Sequence, residues 1–337
     1  MKAWVLRKGA VSLDSMELVE RDMPTPGPGE VLVRVRACSL NYRDQAMVRG
    51  LYIGGPVADD IVPLSDGAGE VVALGGGVTG FAVGDRVAGI FFQNWIDGAP
   101  NPGVGPALGG NGAPGMLAEY VALPAKGVVH IAASLSYEEA ACLPCAGVTA
   151  WNALMAGPRA VALGQSVLVL GTGGVSLLAL QIAKAAGARV VATSGSEAKR
   201  ARVAALGADA TVNYRETPEW GTAAAALAGG GIDHVVEVGG AGTLAQSIAA
   251  VGFAGEVALI GVLTREGDTS PHGLMFKGAS LRGIFVGSRR MAEDLNAFID
   301  AHGIKPVVDR VFPFEAAKDA WAYQSSPDLF GKVVIAV

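Results

Sequence analysis

A chain of 337 residues has room for about two domains with sizeable cores at ~150 residues each. With 51% hydrophobic and 17% charged residues, and 48 glycines dispersed without a period, it is neither collagen-like nor disordered. Its 26 Lys and Arg against 31 Asp and Glu give a net charge of −5 with no like-charge block, which argues against a nucleic-acid partner.

The amino-terminal M-K-A-W-V-L-R-K-G has no long apolar core and no small-residue cleavage site, so cytoplasmic residence is expected. From residue 1 to about 121 short β-type runs follow one another: K-A-W-V-L, E-V-L-V-R-V-R-A, A-G-E-V-V-A-L-G, G-D-R-V-A-G-I-F-F and L-A-E-Y-V-A-L. Turn signals such as P-T-P-G-P-G-E separate them, which predicts a small all-β barrel or sandwich. Within this region A-C-S-L-N-Y-R-D-Q, 37 to 45, gathers a cysteine, an asparagine, a tyrosine and an Arg–Asp pair behind a strand. Local pattern leaves open whether it is a metal site, a former metal site or a polar turn. Residues 93 to 115 carry no helix or strand pattern, and a loop that long fits either a lid anchored by Trp95 or a surface excursion.

The three cysteines, Cys38, Cys142 and Cys145, are too few for a disulfide framework. C-L-P-C follows S-L-S-Y-E-E, which reads as a helix entered through a Ser136/Glu139 capping box. That setting, with four histidines scattered singly, favours structural cysteines over a redox or zinc pair.

From about residue 164 the rhythm becomes β and α in alternation. S-V-L-V-L, A-R-V-V-A-T, A-T-V-N-Y, D-H-V-V-E-V, E-V-A-L-I-G and S-L-R-G-I-F are six strand candidates, which predicts a doubly wound parallel sheet. The apolar run from 167 to 183 approaches the length of a membrane span, and mean hydropathy is +0.39. Its three glycines, serine, threonine and glutamine fit a strand, turn and helix better, so no membrane partner is expected.

That turn is G-T-G-G-V-S: Gly171, Thr172, Gly173, Gly174, Val175 and Ser176. After a strand and before a helix it reads as a dinucleotide fingerprint, with Gly171 for the tight turn and Gly173 for close approach to a pyrophosphate. Ser176 replaces the third glycine, a small residue where close helix–strand packing is required. After the next strand an NAD site would place an acid, but Ser194, Gly195 and Ser196 stand there, followed by Lys199 and Arg200. Hydroxyls and cations suit a 2′-phosphate, so the expected cofactor is NADPH, although the two cations equally fit a solvated helix face.

Taken together, P-G-P-G-E-V-L-V-R-V-R-A, S-L-N-Y-R-D, A-G-E-V-V-A-L-G, L-P-C-A-G-V-T-A-W, the fingerprint, A-L-G-A-D-A-T-V-N-Y and F-G-K-V-V-I resemble the medium-chain dehydrogenase/reductase superfamily across nearly the whole chain. The resemblance implies a GroES-like β-barrel catalytic domain at 1–126, completed by 303–337, and a Rossmann domain at 127–302, with the active site in the cleft between them. It also places the chain in the zinc-free quinone or enoyl reductase branch. Asn41 matches a cysteine ligand of zinc members, Leu64, Ser65 and Asp66 stand where a G-H-E histidine would be, and only Cys145 matches a ligand position. One thiolate does not hold a catalytic zinc.

In zinc-free relatives the matching asparagine lies near the nicotinamide, so Asn41 becomes a catalytic and cofactor candidate. Tyr52 in R-G-L-Y resembles the tyrosine of enoyl reductases, with Tyr42 as runner-up, and either role competes with a packed aromatic. The likeness carries over further cofactor contacts: Thr149, Tyr214, Gly239, Gly261, Val262 and Leu263, with Ser288, Arg289 and Lys332 on the phosphate side. The implied activity is NADPH-dependent hydride transfer to an activated C=C bond or quinone, in a homodimer that pairs its Rossmann sheets across strands such as E-V-A-L-I-G. An alcohol or aldehyde oxidoreductase working without zinc, and a non-catalytic NADPH-binding protein, stand as alternatives.

Overall fold

The computed structural model describes every residue except 265 and 268, and the chain divides into two units, 1–148 with 287–337, and 149–286. In the first, the strand Glu30–Ser39 is central: Val31, Val33 and Val35 are buried on it while Arg34 faces solvent, as alternation requires. One edge pairs antiparallel with Asp66–Leu74. The other edge is shared. Tyr120–Pro124 takes residues 30–34, and the strand Lys332–Ala336 takes 37–39. Val308–Pro313 extends the sheet beyond Lys332–Ala336, while Arg86–Gly89 and Val128–His130 extend it beyond Asp66–Leu74.

The expected β region is therefore present, and the tail from 308 onward rejoins it. Two strands escaped the sequence pattern. Met16–Glu20, which pairs with Lys2–Leu6, has adjacent Leu18 and Val19 that break its alternation, and Val128–His130 is only three residues long. The latter helps explain why the unit boundary falls at 148/149 and not at 126/127. At the other end, the helix Arg289–His302 belongs to the first unit: the Arg289 amide donates to the Trp95 carbonyl at 2.8 Å and Asn296 Nδ2 to the His130 carbonyl at 2.9 Å.

The second unit is a six-stranded, wholly parallel sheet in the order Ala210–Val212, Arg189–Thr193, Ser166–Leu170, Ile232–Glu237, Val251–Leu259, Ser280–Gly283. All six strand candidates appear, wound outward from Ser166–Leu170 in both directions. Strand order reverses between Ser166–Leu170 and Ile232–Glu237, the position where doubly wound sheets bind nucleotides. Val251–Leu259 has a partner strand on each side, so sheet extension across E-V-A-L-I-G is sterically closed. The outer strand on that side is Ser280–Gly283. The run from 167 to 183 is strand, turn and helix, and among the described residues no helix is long and apolar enough to cross a membrane.

Candidate active site

In the second unit Gly171 ends the strand Ser166–Leu170 at φ +70°, a conformation open to glycine, and its amide donates to the Thr193 carbonyl at 2.9 Å. Gly173 is the N-cap of the helix Gly174–Ala185, makes no side-chain cap, and a Cβ there would meet nothing within 4 Å. The first-turn N–H groups of a helix have no intrahelical acceptor, so Gly174 and Val175 present donors at the positive end of the helix dipole. Ser176 is buried and its hydroxyl donates to the Leu170 carbonyl at 2.6 Å, so the third fingerprint position binds helix to strand as expected of a small residue. Thr172 is buried within the same turn.

After the strand Arg189–Thr193, Ser194 Oγ accepts the Ser196 amide at 3.3 Å, and Ser196 caps the helix Glu197–Ala205. Lys199 and Arg200 lie on its first turn. Arg200 is committed: it pairs with Glu197 at 2.6 Å and donates Nε–H to Thr211 Oγ1 at 3.0 Å. Glu197 also accepts from Asn213 Nδ2 at 2.9 Å, and these donors hold its carboxyl below the usual range. Two other side chains close over the turn. A Cβ on Gly195 would lie 2.7 Å from Arg215 Nε and 2.8 Å from Tyr214 Cζ. Arg215 was missed in the sequence, where it is one more exposed charge after V-N-Y.

Gly239 and Gly261 sit in loops whose backbones touch. Thr264 N–H donates to the Gly239 carbonyl at 2.9 Å, and a Cβ on Gly261 would lie 1.7 Å from the Val238 carbonyl oxygen. Glu237, fully buried, holds this corner by accepting from the Gly239 and Gly240 amides and the Thr243 hydroxyl. Val262 and Leu263 are exposed beside it, Tyr214 is partly exposed, and Thr149 is buried in the helix Val148–Leu154.

In the first unit Asn41 caps the helix Tyr42–Val48, and its amide N–H donates to Asp44 Oδ2 at 2.7 Å. Its side-chain Oδ1 accepts from Lys332 Nζ at 2.6 Å, while its Nδ2 is buried with no acceptor among the described residues. Lys332 is only 4% exposed and also donates to the Leu40 carbonyl at 2.5 Å. Asp44 is buried with Oδ1 unmatched, and burial, opposed by Arg43, raises its pKa to about 6. Beside it Asp66 accepts from Ser65 Oγ at 2.7 Å and from the Cys145 amide at 3.1 Å.

Several expected contacts have other work. Lys332, expected at a cofactor phosphate, is turned to Asn41. Ser288 is buried as the N-cap of Arg289–His302, and Arg289 pairs with Glu293 at 2.8 Å, so both already have partners within the protein. Trp95, the anchor in the lid reading of its loop, is buried and donates Nε1–H to the Gly98 carbonyl at 3.0 Å, so it does anchor that loop. Tyr52 is half-buried with its ring 5.0 Å from the Arg43 guanidinium carbon, which Phe91 flanks at 4.9 Å. Tyr42 is 52% exposed. The Ser136/Glu139 capping box forms as read, and burial pushes the Cys142 thiol up to about 12, the range of an unreactive cysteine.

A doubly wound sheet with an uncapped glycine turn, on a chain whose other unit is a largely antiparallel sheet bearing a polar corner, defines a class of nicotinamide-dependent oxidoreductases. Residues 27–133 match the family model of the alcohol dehydrogenase GroES-like domain, and residues 174–301 that of the zinc-binding dehydrogenase. The chain is 45% identical to a zinc-type alcohol dehydrogenase-like protein of Schizosaccharomyces pombe over 99% of both chains. It is 31% identical to a 2-methylene-furan-3-one reductase of Solanum lycopersicum over 99% of this chain and 79% of that one. Among solved structures it resembles a protein of Sinorhizobium meliloti 1021 provisionally assigned as an alcohol dehydrogenase, with 41% identity, TM-score 0.90 and 100% of both chains covered. An NAD-dependent alcohol dehydrogenase follows at 36%, TM-score 0.89 and 100% of both. A crotonyl-CoA carboxylase/reductase in complex with NADP shows 25%, TM-score 0.86, and 100% and 94% coverage. The chain belongs to the medium-chain dehydrogenase/reductase superfamily and is an oxidoreductase of that family.

One family model is named for zinc, and the residues here do not fit that ion. Among the described residues no group of three or more His, Cys, Asp or Glu side chains could hold a metal. The cation beside Asn41 is an ammonium, which donates and does not accept.

Proposed function

We propose that this protein is a zinc-independent, NADPH-dependent reductase of activated C=C bonds or quinones. The observation that carries the reading is the Asn41 corner, where a buried amide donor with no acceptor among the described residues stands beside an ammonium. When bound, the reduced nicotinamide supplies a hydride. The N–H groups opening Gly174–Ala185 take the pyrophosphate, and Ser194, Tyr214 and Arg215 around Gly195 take the 2′-phosphate. Asn41 Nδ2 donates to an oxygen that gains negative charge as the acceptor becomes an enolate, the type of donor that lowers such a barrier most. Tyr52 donates the proton that completes the reduction, with Tyr42 as the alternative donor, and the tyrosinate is reprotonated from solvent.

Oxidation of NADPH and NADH, measured with enones, quinones and enoyl thioesters beside NADP reduction by alcohols and a zinc assay, tests this reading. NADPH-linked turnover of an enone or quinone by metal-free protein is expected. Alcohol turnover with about one zinc per chain would establish an alcohol dehydrogenase instead, and tight NADPH binding without turnover a binding protein. Residence in the cytoplasm belongs to the same proposal, as does a homodimer. The latter is supported by the outer strand Ser280–Gly283, where Leu281 and the nearby Phe285 are exposed. A monomer by light scattering would overturn the dimer.

A further inference from the structure

We infer that Lys332 is a positioning residue for Asn41: it fixes the carboxamide so that Nδ2, and not Oδ1, is offered to whatever acceptor binds at this corner. The inference deepens the reductase reading and rests on it for its kinetic consequence, though not for its geometry. An amide has a donor end and an acceptor end of nearly equal shape, and a hydrogen-bond partner is needed to choose between them. An ammonium only donates. With Nζ 2.6 Å away, the reversed amide would set an NH2 group against a cation, so Oδ1 faces Lys332. The other end is then presented with no acceptor among the described residues, and a buried N–H left unmet carries a desolvation penalty that a bound acceptor relieves.

The arrangement follows from topology. The antiparallel register pairs Val334 with Ser39 and Ile335 with Cys38, and the Leu40 amide donates to the Val333 carbonyl at 3.1 Å. Continuing that register places Lys332 opposite Asn41, on the same face. The backbone of Asn41 is fixed separately by Asp44 Oδ2 at 2.7 Å. One carboxylate thus holds its main chain and one ammonium its side chain.

The test compares K332M, K332A, N41A, N41D and the double variant K332M/N41A on full-length protein. For K332M a kcat loss of about 10-fold or more is expected, with the NADPH Kd from fluorescence within about 2-fold of wild type and partial rescue of K332A by n-butylammonium. The double variant should fall no further than N41A, because the two residues act as one unit. N41D keeps a partner for Lys332 but loses the NH2 donor, and should fall as far as N41A. Weakened NADPH binding with kcat intact would make Lys332 a phosphate contact and overturn the inference, as would additive losses. If K332M does not fold, N41D decides: near-wild-type kcat there refutes the donor role. If no substrate is turned over, selective 15N-asparagine labelling of the cofactor-free protein reads the geometry directly. The Asn41 side-chain amide should shift and lose exchange protection in K332M, and an unchanged signal overturns the inference whatever the reaction is.

Discussion

The glycine turn of the second unit and the Asn41 corner of the first are built in opposite ways. The turn is made by removing side chains: Gly171 bends, Gly173 leaves space, and under the proposed function the backbone N–H groups take the cofactor. The corner works by burying charge: Lys332, Asp44 and Asp66 are all inside, and two of the polar atoms there, Asn41 Nδ2 and Asp44 Oδ1, remain unmatched. The first arrangement leaves no buried side-chain polar atom to satisfy, whereas the second carries the desolvation cost of its unmatched atoms.

The sharpest break in the glycine-built half is G261A. Its Cβ would lie 1.7 Å from the Val238 oxygen, a backbone clash that side-chain movement does not relieve, and we expect a loss of roughly 4 kcal/mol or more, read as collapse of the thermal transition. On the charged side the largest effect is on stability against pH. The native pKa of Asp44 is raised to about 6 from 3.8, so the native state binds the extra proton between those values and its stability falls as pH rises through that window. D44N should therefore gain on wild type between pH 4 and 6 and hold a constant advantage above, up to about 3 kcal/mol by chemical denaturation. Curves that stay parallel across that range would refute burial as the cause.

Removal of the unmatched donor should act on function more than on folding. N41A should lower kcat by about 10²-fold, the scale for one donor to a developing oxyanion, with a smaller fall in melting temperature because the buried Lys332 ammonium loses an acceptor. The smallest expected change sharpens the cofactor side. R215A should raise KM for NADPH by about 10-fold and leave NADH unaffected, since only the former carries the 2′-phosphate. An equal loss with both cofactors would mean that Arg215 supports the fold of the turn and not the phosphate.

These two regions also differ in how far the sequence discloses them. The turn is local: strand, G-T-G-G-V-S and helix are contiguous, so spacing alone reveals it, and the six parallel strands follow from the same rhythm. Asn41 could be placed by its resemblance to a ligand position. Its partner could not, because Lys332 lies 291 residues away and reaches it only through strand register. In the sequence Lys332 is one cation among 26, and the natural reading was a phosphate contact. Ser288 and Trp95 show the same limit: a helix cap and a loop anchor use the same chemistry as a binding residue, and only packing reveals the structural work they do. Arg215 was passed over because its closeness to Gly195 depends on two βα loops meeting.

The separation of Lys332 from Asn41 also has a temporal meaning. During synthesis Asn41 leaves the ribosome early, while the strand Lys332–Ala336 emerges only after every residue of 149–286 has been made. Domains generally fold as units while the chain grows, so the second unit has time to fold around its glycine turn while the corner still lacks its ammonium. If the proposed roles hold, a growing chain whose second unit has already folded still has an unset Asn41, so the ability to hold a cofactor would precede the ability to use it.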